Sequence, residues 1–251
     1  MRRIKITLAY DGTNYHGWQV QPGLPTIQRE LQRVVSEIEE RAVAVHASGR
    51  TDAGVHAMAQ VAAFNLDNPI PCDNLRRAIN RLLPRDIRVL AVEEAAPDFH
   101  PRFLARCKTY EYRIYCGESC SPFERLYVHH YPYPLDVDRM IGLAPLLEGQ
   151  HDFSAFSASD EKDELGHSKV RCILSSRLEQ EGSRLIYRVT GSGFLKHMVR
   201  NIVGVLLETG KGNVDRAGIE ARLQPGCQIP AGPTAPARAL FLVSVEYYDN
   251  R

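Results

Sequence analysis

Alternating apolar and polar residues predict β-strands along most of the chain. In the stretch RIKITLAY, Ile4, Ile6, Leu8 and Tyr10 recur at every second position, the spacing that places strand side chains on one face. Patterns of this kind predict further strands in AVAVHAS, QVAAFNL, DIRVLAVEEA, KTYEYRIY, RLYVHHYPY, KVRCILSSRLEQ, SRLIYRVTGSG and ALFLVSVEYY. In KTYEYRIY, the residues that share one face are Tyr110, Tyr112 and Ile114.

Apolar residues three and four positions apart predict the helices between these strands. Thr26 is suited to cap the first helix, whose apolar stripe consists of Ile27, Leu31, Val34, Val35 and Ile38. Further helices are predicted in CDNLRRAINRLL, DVDRMIGLAPLL, FLKHMVRNIVGVLLETG and VDRAGIEARL. Asp136 is the expected cap of the second of these, and Gly210 ends the third.

The order of strands and helices recurs in the two halves of the chain, although the residues do not repeat. An α+β protein of two units, each an antiparallel sheet backed by helices, is the most economical architecture. The boundary is expected between Arg102 and Lys108, which gives domains 1–105 and 106–251. The charged run DEKDE at 160–164 predicts a mobile loop.

Composition narrows the class of protein only a little. The chain has 251 residues, of which 44% are hydrophobic and 24% charged, as in ordinary globular proteins. No apolar run is long enough to cross a bilayer, and the N-terminus alternates instead of forming a signal core. We therefore expect a cytoplasmic protein that does not enter a membrane.

Basic residues are clustered although the net charge is only +1. Singly, each is best explained as part of a solvated face. Together, two such groups near an aromatic strand make nucleic acid a candidate partner. The first group is Arg76, Arg77, Arg81, Arg85 and Arg88, and the second is Arg102, Arg106 and Lys108.

The cysteines favour neither disulfides nor a metal site. Six cysteines are scattered through a chain of normal core-forming size, which predicts reduced thiols. Cys116 and Cys120 with His129 and His130 are a conceivable zinc set, but their spacing is loose. We expect no metal.

The stretch ASGRTDAGVHA carries the most unusual chemistry, since phosphate-binding, dinucleotide-binding and HExxH motifs are absent. Its only carboxylate is Asp52, which Gly54 would allow the backbone to project. An ionised aspartate beside a cation can attack a sugar carbon or an electrophilic ring. It can equally cap a turn, with Arg50 satisfying its charge. The spacing alone leaves both interpretations open.

A family resemblance decides between them. ASGRTDAGVHA resembles the signature of the tRNA pseudouridine synthase A family. Other blocks resemble the same family in the same order across nearly the whole chain, namely YDGTNYHGWQ, NRLLPRDIRV, FHPRFLARCKTYEYRIY, HDFSAF, GSGFLKHMVRNIVG and TAPARALFLVSVEY.

The resemblance implies a pseudouridine synthase fold of two pseudo-symmetric domains with a central, positively charged cleft. It implies a homodimer that isomerises uridine to pseudouridine without any cofactor. The substrate would be tRNA, modified at positions 38, 39 and/or 40 of the anticodon stem-loop.

The resemblance also implies roles for individual residues. Asp52 would be the nucleophile and Arg200 its ion-pair partner. Tyr110, Arg50 and Leu240 would bind the substrate. The chain has Ala239 where the family usually has glycine, which bears on the apolar contacts to the base. Attack on the ring and attack on the sugar would use the same aspartate. His56 is assigned to the structure.

Two other functions are compatible with parts of the sequence. A non-catalytic tRNA-binding or RNA chaperone module would keep the fold, but a lost activity usually shows first as a replaced nucleophile or partner, and Asp52 and Arg200 are both present. A hydrolase of small nucleosides would share the nucleophile but would not need the basic groups.

Overall fold

The computed structural model describes residues 1–158, 168–230 and 232–248, so the charged run 160–164 lies outside the described residues. The chain forms two compact units. The first consists of Met1–Arg106 with Phe241–Arg251, and the second of Cys107–Leu240. The fold is α+β, as predicted. The domain ranges 1–105 and 106–251 remain a prediction.

The first unit is a sheet with two helices. Its elements are β1 (Arg2–Tyr10), α1 (Ile27–Glu39), β2 (His46–Ala47), β3 (His56–Leu66), α2 (Cys72–Leu82), β4 (Ile87–Ala95) and the last strand of the chain, β10 (Leu240–Tyr247). The strand order is β4-β1-β3-β10, and β2 pairs with β3. β1 is antiparallel to β3 and β4, whereas β10 runs parallel to β3, with Phe241 opposite His56.

The predicted apolar face of β1 forms the centre of this unit's core. Ile4, Ile6 and Leu8 are completely buried, which confirms the face that the alternation predicted. The stripe of α1 is buried as predicted, apart from Ile38, which is half-buried.

Three predictions at the edges of these elements were right only in part. Of the predicted strand AVAVHAS, only the two residues of β2 form a strand. The predicted strand QVAAFNL lies within β3, which begins four residues earlier, at His56. Thr26 occupies the cap position of α1 but its hydroxyl makes no cap hydrogen bond. The first N–H groups of the helix instead donate to the carbonyls of Gly17 and Trp18, over 3.2 and 3.0 Å.

The second unit contains a sheet and three helices in its described part. Its elements are β5 (Ala105–Tyr115), β6 (His129–His130), α3 (Val137–Leu143), β7 (Gly149–Asp152), β8 (Val170–Glu181), β9 (Arg184–Gly191), α4 (Met198–Gly210) and α5 (Arg216–Arg222). The antiparallel order is β5-β9-β8-β7, and the short β6 lies parallel to β5. Short 3-10 helices occupy Ala144–Leu147, Ser154–Phe156 and Ala237–Ala239.

Local signals predicted most of this unit correctly. The side chain of Asp136 accepts the N–H of Arg139 over 3.0 Å and so caps α3. Gly182 takes the left-handed conformation, at φ +60°, in the turn between β8 and β9. The predicted strand RLYVHHYPY was wrong for all but the two residues of β6, and β7 was not predicted.

Helix α4 begins later than the apolar pattern suggested. The pattern predicted a start at Phe194, but His197 has a left-handed backbone, at φ +60°, and the helix begins at Met198. The carbonyl of Lys196 accepts the N–H of Ala158 over 3.0 Å. Lys196, inside the predicted helix FLKHMVRNIVGVLLETG, therefore lies before the start of α4. Nearly every residue of α4 is buried.

Candidate active site

The half-buried Asp52 lies in the turn between β2 and β3, which is tied to the loop after β1. The N–H of Trp18 donates to the carbonyl of Thr51 over 3.1 Å, and the N–H of Gly54 donates to the carbonyl of Tyr15 over 3.2 Å. The turn itself is closed by the N–H of Val55, which donates to the carbonyl of Asp52 over 3.2 Å. The backbone on both sides of the carboxylate is thus held in place.

Two glycines allow the loop to approach this turn closely. A Cβ atom at Gly12 would lie 2.1 Å from the carbonyl oxygen of Val55, and one at Gly17 would lie 2.5 Å from that of Thr51. Gly17 also has φ +86°, and Gly54 has φ +76°, a conformation that glycine adopts without strain. The blocks YDGTNYHGWQ and ASGRTDAGVHA are therefore two parts of one packed structure.

Hydrogen bonds of buried polar groups also stabilise the turn. The hydroxyls of Tyr10 and Thr51 share a hydrogen bond of 2.8 Å, and burial raises the pKa of Tyr10 to about 12, so the phenol stays protonated at neutral pH. The N–H of Gly12 donates to Nδ1 of His56 over 3.0 Å, and the imidazole stacks on Phe241 at 4.7 Å. His56 accordingly has the structural role that was expected.

Tyr15 and Asp86 connect the turn with the start of β4. The hydroxyl of Tyr15 donates to Oδ1 of Asp86 over 2.7 Å, and the N–H of Asp11 donates to the carbonyl of Asp86 over 2.9 Å. Burial, followed by the carboxylate of Asp86, raises the pKa of Tyr15. Neither residue was predicted to support the site, although both lie inside the blocks YDGTNYHGWQ and NRLLPRDIRV.

Arg50 does not neutralise the turn. Its side chain is exposed, and it makes no hydrogen bond or ion pair with any described residue. The alternative in which Arg50 satisfies the charge of a structural Asp52 is therefore wrong. An uncommitted guanidinium two residues before Asp52 remains available to a ligand.

In the second unit, β5 carries two tyrosines with different surroundings. Tyr110 lies opposite Val189 in the sheet, is 8% exposed, and meets the ring of Phe194 edge-on at 5.1 Å. Tyr112 is completely buried and its hydroxyl donates to the carbonyl of Pro236 over 2.9 Å. Burial raises the pKa of Tyr112. Tyr112 thus belongs to the core.

Arg200 lies in the first turn of α4 and is half-buried. Its Nε–H donates to the carbonyl of Ala235 over 2.8 Å, and the N–H of Ala235 donates to the carbonyl of Arg200 over 3.2 Å. Beside it, Asn201 accepts the hydroxyl hydrogen of Thr234 over 2.7 Å. A Cβ atom at Gly204 would lie 1.7 Å from the carbonyl oxygen of Pro233. The segment 233–235 therefore packs directly on α4 and helps to orient Arg200.

Leu240 follows this segment at the start of β10 and is buried. Ala239, where the resemblance implies a glycine, ends the short 3-10 helix Ala237–Ala239 and is completely buried. Its methyl group is thus part of the core next to Leu240.

The first group of basic residues divides into two kinds. Arg88 donates to the carbonyls of Pro84 and Ile87, both over 2.6 Å, and so has a structural role. The other members make no hydrogen bond or ion pair with the described residues, and these are Arg76, Arg77, Arg81 and Arg85. Arg77 and Arg81 lie one turn apart on α2 and are exposed, which leaves two cations side by side on the surface.

The candidate zinc residues do not form a cluster. Within residues 1–158, 168–230 and 232–248, no three His, Cys, Asp or Glu side chains are grouped as metal ligands. Burial, followed by the nearby Arg238, lowers the pKa of His129 to about 4, so this histidine is neutral at neutral pH. Among the described residues, no helix has both the length and the apolar character that a bilayer crossing requires.

Comparisons with known proteins identify the family of this chain. A family model described as tRNA pseudouridine synthase matches residues 6–104 and 143–248. The chain belongs to the tRNA pseudouridine synthase family. Asp52, Arg50, Arg200 and Leu240 lie inside the matched residues, whereas Tyr110 lies between the two matched segments.

Individual relatives match over almost their full length. A tRNA pseudouridine synthase A of Solibacter usitatus is 61% identical over 248 residues, which cover 98% of this chain and 100% of the relative. A tRNA pseudouridine synthase A of a Geobacillus species is 43% identical and is covered to 99%, as is this chain. One of Desulfotalea psychrophila is 42% identical, with 98% of this chain and 100% of the relative covered.

Proposed function

We propose that the protein isomerises uridine to pseudouridine in tRNA and that Asp52 is its nucleophile. The observation that carries this proposal is the Asp52 turn, in which Gly12 and Gly17 permit backbone contacts too close for any other residue. The chain belongs to the tRNA pseudouridine synthase family, and a turn whose backbone is held on both sides of one carboxylate suits a residue that acts as a nucleophile.

The reaction needs little more than such a carboxylate. The glycosidic C–N bond of uridine breaks, the uracil turns, and a C–C bond forms between the same sugar and ring carbon 5. A proton leaves that carbon and another is taken up by the released nitrogen, so the process is neither a hydrolysis nor a redox reaction. A carboxylate can add and leave again, and both the ring and the sugar are possible points of attack.

Arg200 is proposed as the ion-pair partner of Asp52, on the basis of the family resemblance. A guanidinium beside a carboxylate favours its ionised form, which is the nucleophilic one. The hydrogen bond from Nε of Arg200 to Ala235 restrains the side chain, which reduces the entropy lost when it binds a partner.

The uridine must leave the tRNA stem or loop to reach the aspartate. Tyr110 and Leu240 are proposed to contact the extruded base, and Arg50 to fill the vacated space or bind a phosphate. The exposure of Arg50 and its lack of a partner among the described residues support the last of these roles.

The finer features are proposed from the resemblance, except the cytoplasmic location, which is proposed from the pattern of apolar residues. The target uridines are at positions 38, 39 and/or 40 of the anticodon stem-loop, the protein acts as a homodimer in the cytoplasm, and it uses no cofactor. Light scattering at micromolar concentration should give twice the monomer mass of 28.2 kDa. A fully active monomer would contradict the homodimer.

A direct experiment separates this function from the alternatives. The purified protein alone is incubated with an unmodified tRNA transcript or with free uridine, and the products are mapped. We expect pseudouridine in the anticodon stem-loop and no change in free uridine. Binding of tRNA without any pseudouridine would favour a non-catalytic module, whereas release of uracil from free uridine would favour a nucleoside hydrolase.

A further inference from the structure

The loop between β4 and β5 presents an aromatic ring to solvent in a fixed position. The N–H groups of Arg102 and Phe103 both point at Nδ1 of His100, over 3.2 and 3.4 Å, and the N–H of Leu104 donates to the carbonyl of His100 over 3.1 Å. Burial, followed by the nearby His46, Arg3 and Arg102, lowers the pKa of His100, which favours the neutral ring that can accept these bonds.

Phe103 lies almost flat on the ring that organises the loop. The centroids of Phe103 and His100 are 4.2 Å apart with an interplanar angle of 28°, and the ring of His46 follows at 5.6 Å from His100. Phe103 is nevertheless 77% exposed. One face of its ring is thus supported by a second ring, while the rest of the surface of Phe103 is open to water.

This arrangement differs from that of another exposed phenylalanine. Phe123, in the second unit, is 89% exposed but stacks on no ring among the described residues. Scattered exposed apolar residues are normal on protein surfaces. A ring that is exposed and also held flat by a neighbouring ring and three backbone hydrogen bonds is better explained as a preformed binding surface.

The basic residues near Phe103 in the sequence indicate the kind of ligand. The stretch FHPRFLARCKTY has three basic residues and no acidic one. Arg102 and Arg106 are both exposed, and the guanidinium of Arg106 lies 5.9 Å from the ring of Tyr248. Stacking rings beside cations are what single-stranded nucleic acids require, because bases stack on aromatic faces and phosphates pair with arginine. A protein partner would call for a broader apolar patch, and besides Phe103 the loop has one exposed large apolar side chain, Leu104.

We propose that the open face of Phe103 is a stacking site for an unpaired base of the tRNA, with Arg102 beside it on the phosphate backbone. The proposal rests on the proposed function for the identity of the nucleic acid. It adds a contact to those proposed at Asp52, Tyr110 and Leu240, and it gives His100 the role of a positioning residue that supports the ring.

Binding measurements with matched variants test this site. The binding partner is an unmodified tRNA transcript, measured over a series of salt concentrations. Phe103→Leu keeps an apolar side chain but removes the aromatic face, so we expect the dissociation constant to rise about 5- to 100-fold. Phe103→Tyr should bind like the wild type, and so should the control Phe123→Leu.

The salt series separates stacking from charge. Phe103→Leu removes no phosphate contact, so it should leave the slope of log affinity against log salt unchanged. Arg102→Gln should reduce that slope by about one. Wild-type affinity in Phe103→Leu would overturn the proposal. So would a loss of affinity that light scattering shows to accompany a change of oligomeric state, since the ring would then be a protein contact.

A fluorescent base reports the stacking itself. Transcripts carry 2-aminopurine at one unpaired purine position at a time, and stacking on Phe103 should quench its fluorescence at one position or a few adjacent ones. Phe103→Leu should abolish that quenching, and its presence at every position in both proteins would overturn the proposal. All these measurements use binding, so they stay interpretable in the Asp52→Asn background. Absence of pseudouridine from the wild-type reaction would instead count against the proposed function.

Discussion

At the scale of single residues, the shape of the candidate site depends on two glycines, which have no Cβ atom. Gly12 and Gly17 bring one loop so close to the Asp52 turn that a Cβ atom at either would lie 2.1 or 2.5 Å from a backbone oxygen. Backbone cannot move aside as a flexible side chain can, so a methyl group there must displace the turn that carries the carboxylate.

Gly17→Ala tests this point, with Gly23→Ala as its control. Both glycines have positive φ, at 86° and 74°, so both variants lose about 1 kcal/mol or slightly more from backbone strain. A Cβ atom at Gly23 meets nothing within 4 Å. We therefore expect Gly17→Ala to reduce pseudouridine formation about 100-fold, while Gly23→Ala stays active. Equal activities in the two variants would show that the close approach does not matter.

The two tyrosines of β5 provide a second comparison. Tyr112→Phe removes the hydrogen bond to the buried carbonyl of Pro236, so we expect a loss of about 1–3 kcal/mol in unfolding free energy with turnover little changed. Tyr110→Phe should fold normally and turn over about tenfold more slowly, since it removes the hydroxyl from a side chain that is proposed to contact the base. Thermal unfolding and single-turnover rates distinguish the two effects, and normal turnover in Tyr110→Phe would count against the proposed contact between Tyr110 and the base.

At the scale of elements, the sequence predicted best where one face of a strand or helix is buried. The alternation of apolar residues predicted β1 and β5 correctly, because their apolar faces are buried. Asp136 predicted the start of α3 correctly, because its own side chain makes the cap hydrogen bond. The extents of β2 and β6 were missed, because a two-residue strand is defined by its pairing with a distant strand. Thr26 was misjudged for the same reason, since carbonyls from another loop receive the first N–H groups of α1.

Long-range contacts also explain the start of α4. The carbonyl of Lys196 accepts the N–H of Ala158, and His197 turns the backbone before Met198. The local apolar pattern could not predict that hydrogen bond. The segment 233–235, which packs on α4, escaped prediction because it has no periodicity of its own.

Two helical glycines of the second unit test the packing of that segment. A Cβ atom at Gly204 would lie 1.7 Å from the carbonyl oxygen of Pro233, whereas one at Gly142 of α3 meets nothing within 4 Å. We expect Gly204→Ala to reduce the unfolding free energy by about 3 kcal/mol or more, with a parallel loss of activity. Gly142→Ala should raise it by about 0.5–1 kcal/mol, because alanine is the better helix former. A stable, active Gly204→Ala protein would contradict this packing.

At the scale of the whole molecule, the net charge of +1 conceals a local excess of cations. The exposed Arg77 and Arg81 lack partners among the described residues, whereas Arg33 on α1 pairs with Glu30 and Glu37 at 3.3 and 3.5 Å. Composition could not show this difference, because it depends on which carboxylates the fold brings close to each arginine.

The unpaired arginines predict how tRNA affinity depends on salt. We expect affinity to fall by orders of magnitude between low and moderate salt. Changing Arg77 and Arg81 together to Gln should weaken all tRNA substrates alike and reduce the salt slope by about two. Arg33→Gln, which removes an arginine already paired within the protein, should change neither quantity. Binding that does not respond to salt would contradict an electrostatic interface.

The candidate site was only partly predictable from the sequence. The family resemblance indicated Asp52, Arg50 and Arg200, because these lie in recognisable blocks. The support that Tyr15 and Asp86 give to the turn could not be predicted, since the hydrogen bond between them joins residues 71 positions apart. The blocks of the sequence indicate which residues are typical of the family, whereas the fold is needed to show which of them are in contact.

The most direct test of the central claim is the pseudouridine yield of Asp52→Asn in single-turnover reactions on an unmodified tRNA transcript. Asparagine has nearly the same shape as aspartate but is not a nucleophilic carboxylate. We predict that this variant binds the transcript with wild-type affinity, keeps the wild-type melting temperature and forms no pseudouridine at any position. Measurable pseudouridine from rigorously pure Asp52→Asn protein, repeated with Asp52→Ala, would show that Asp52 is not the nucleophile.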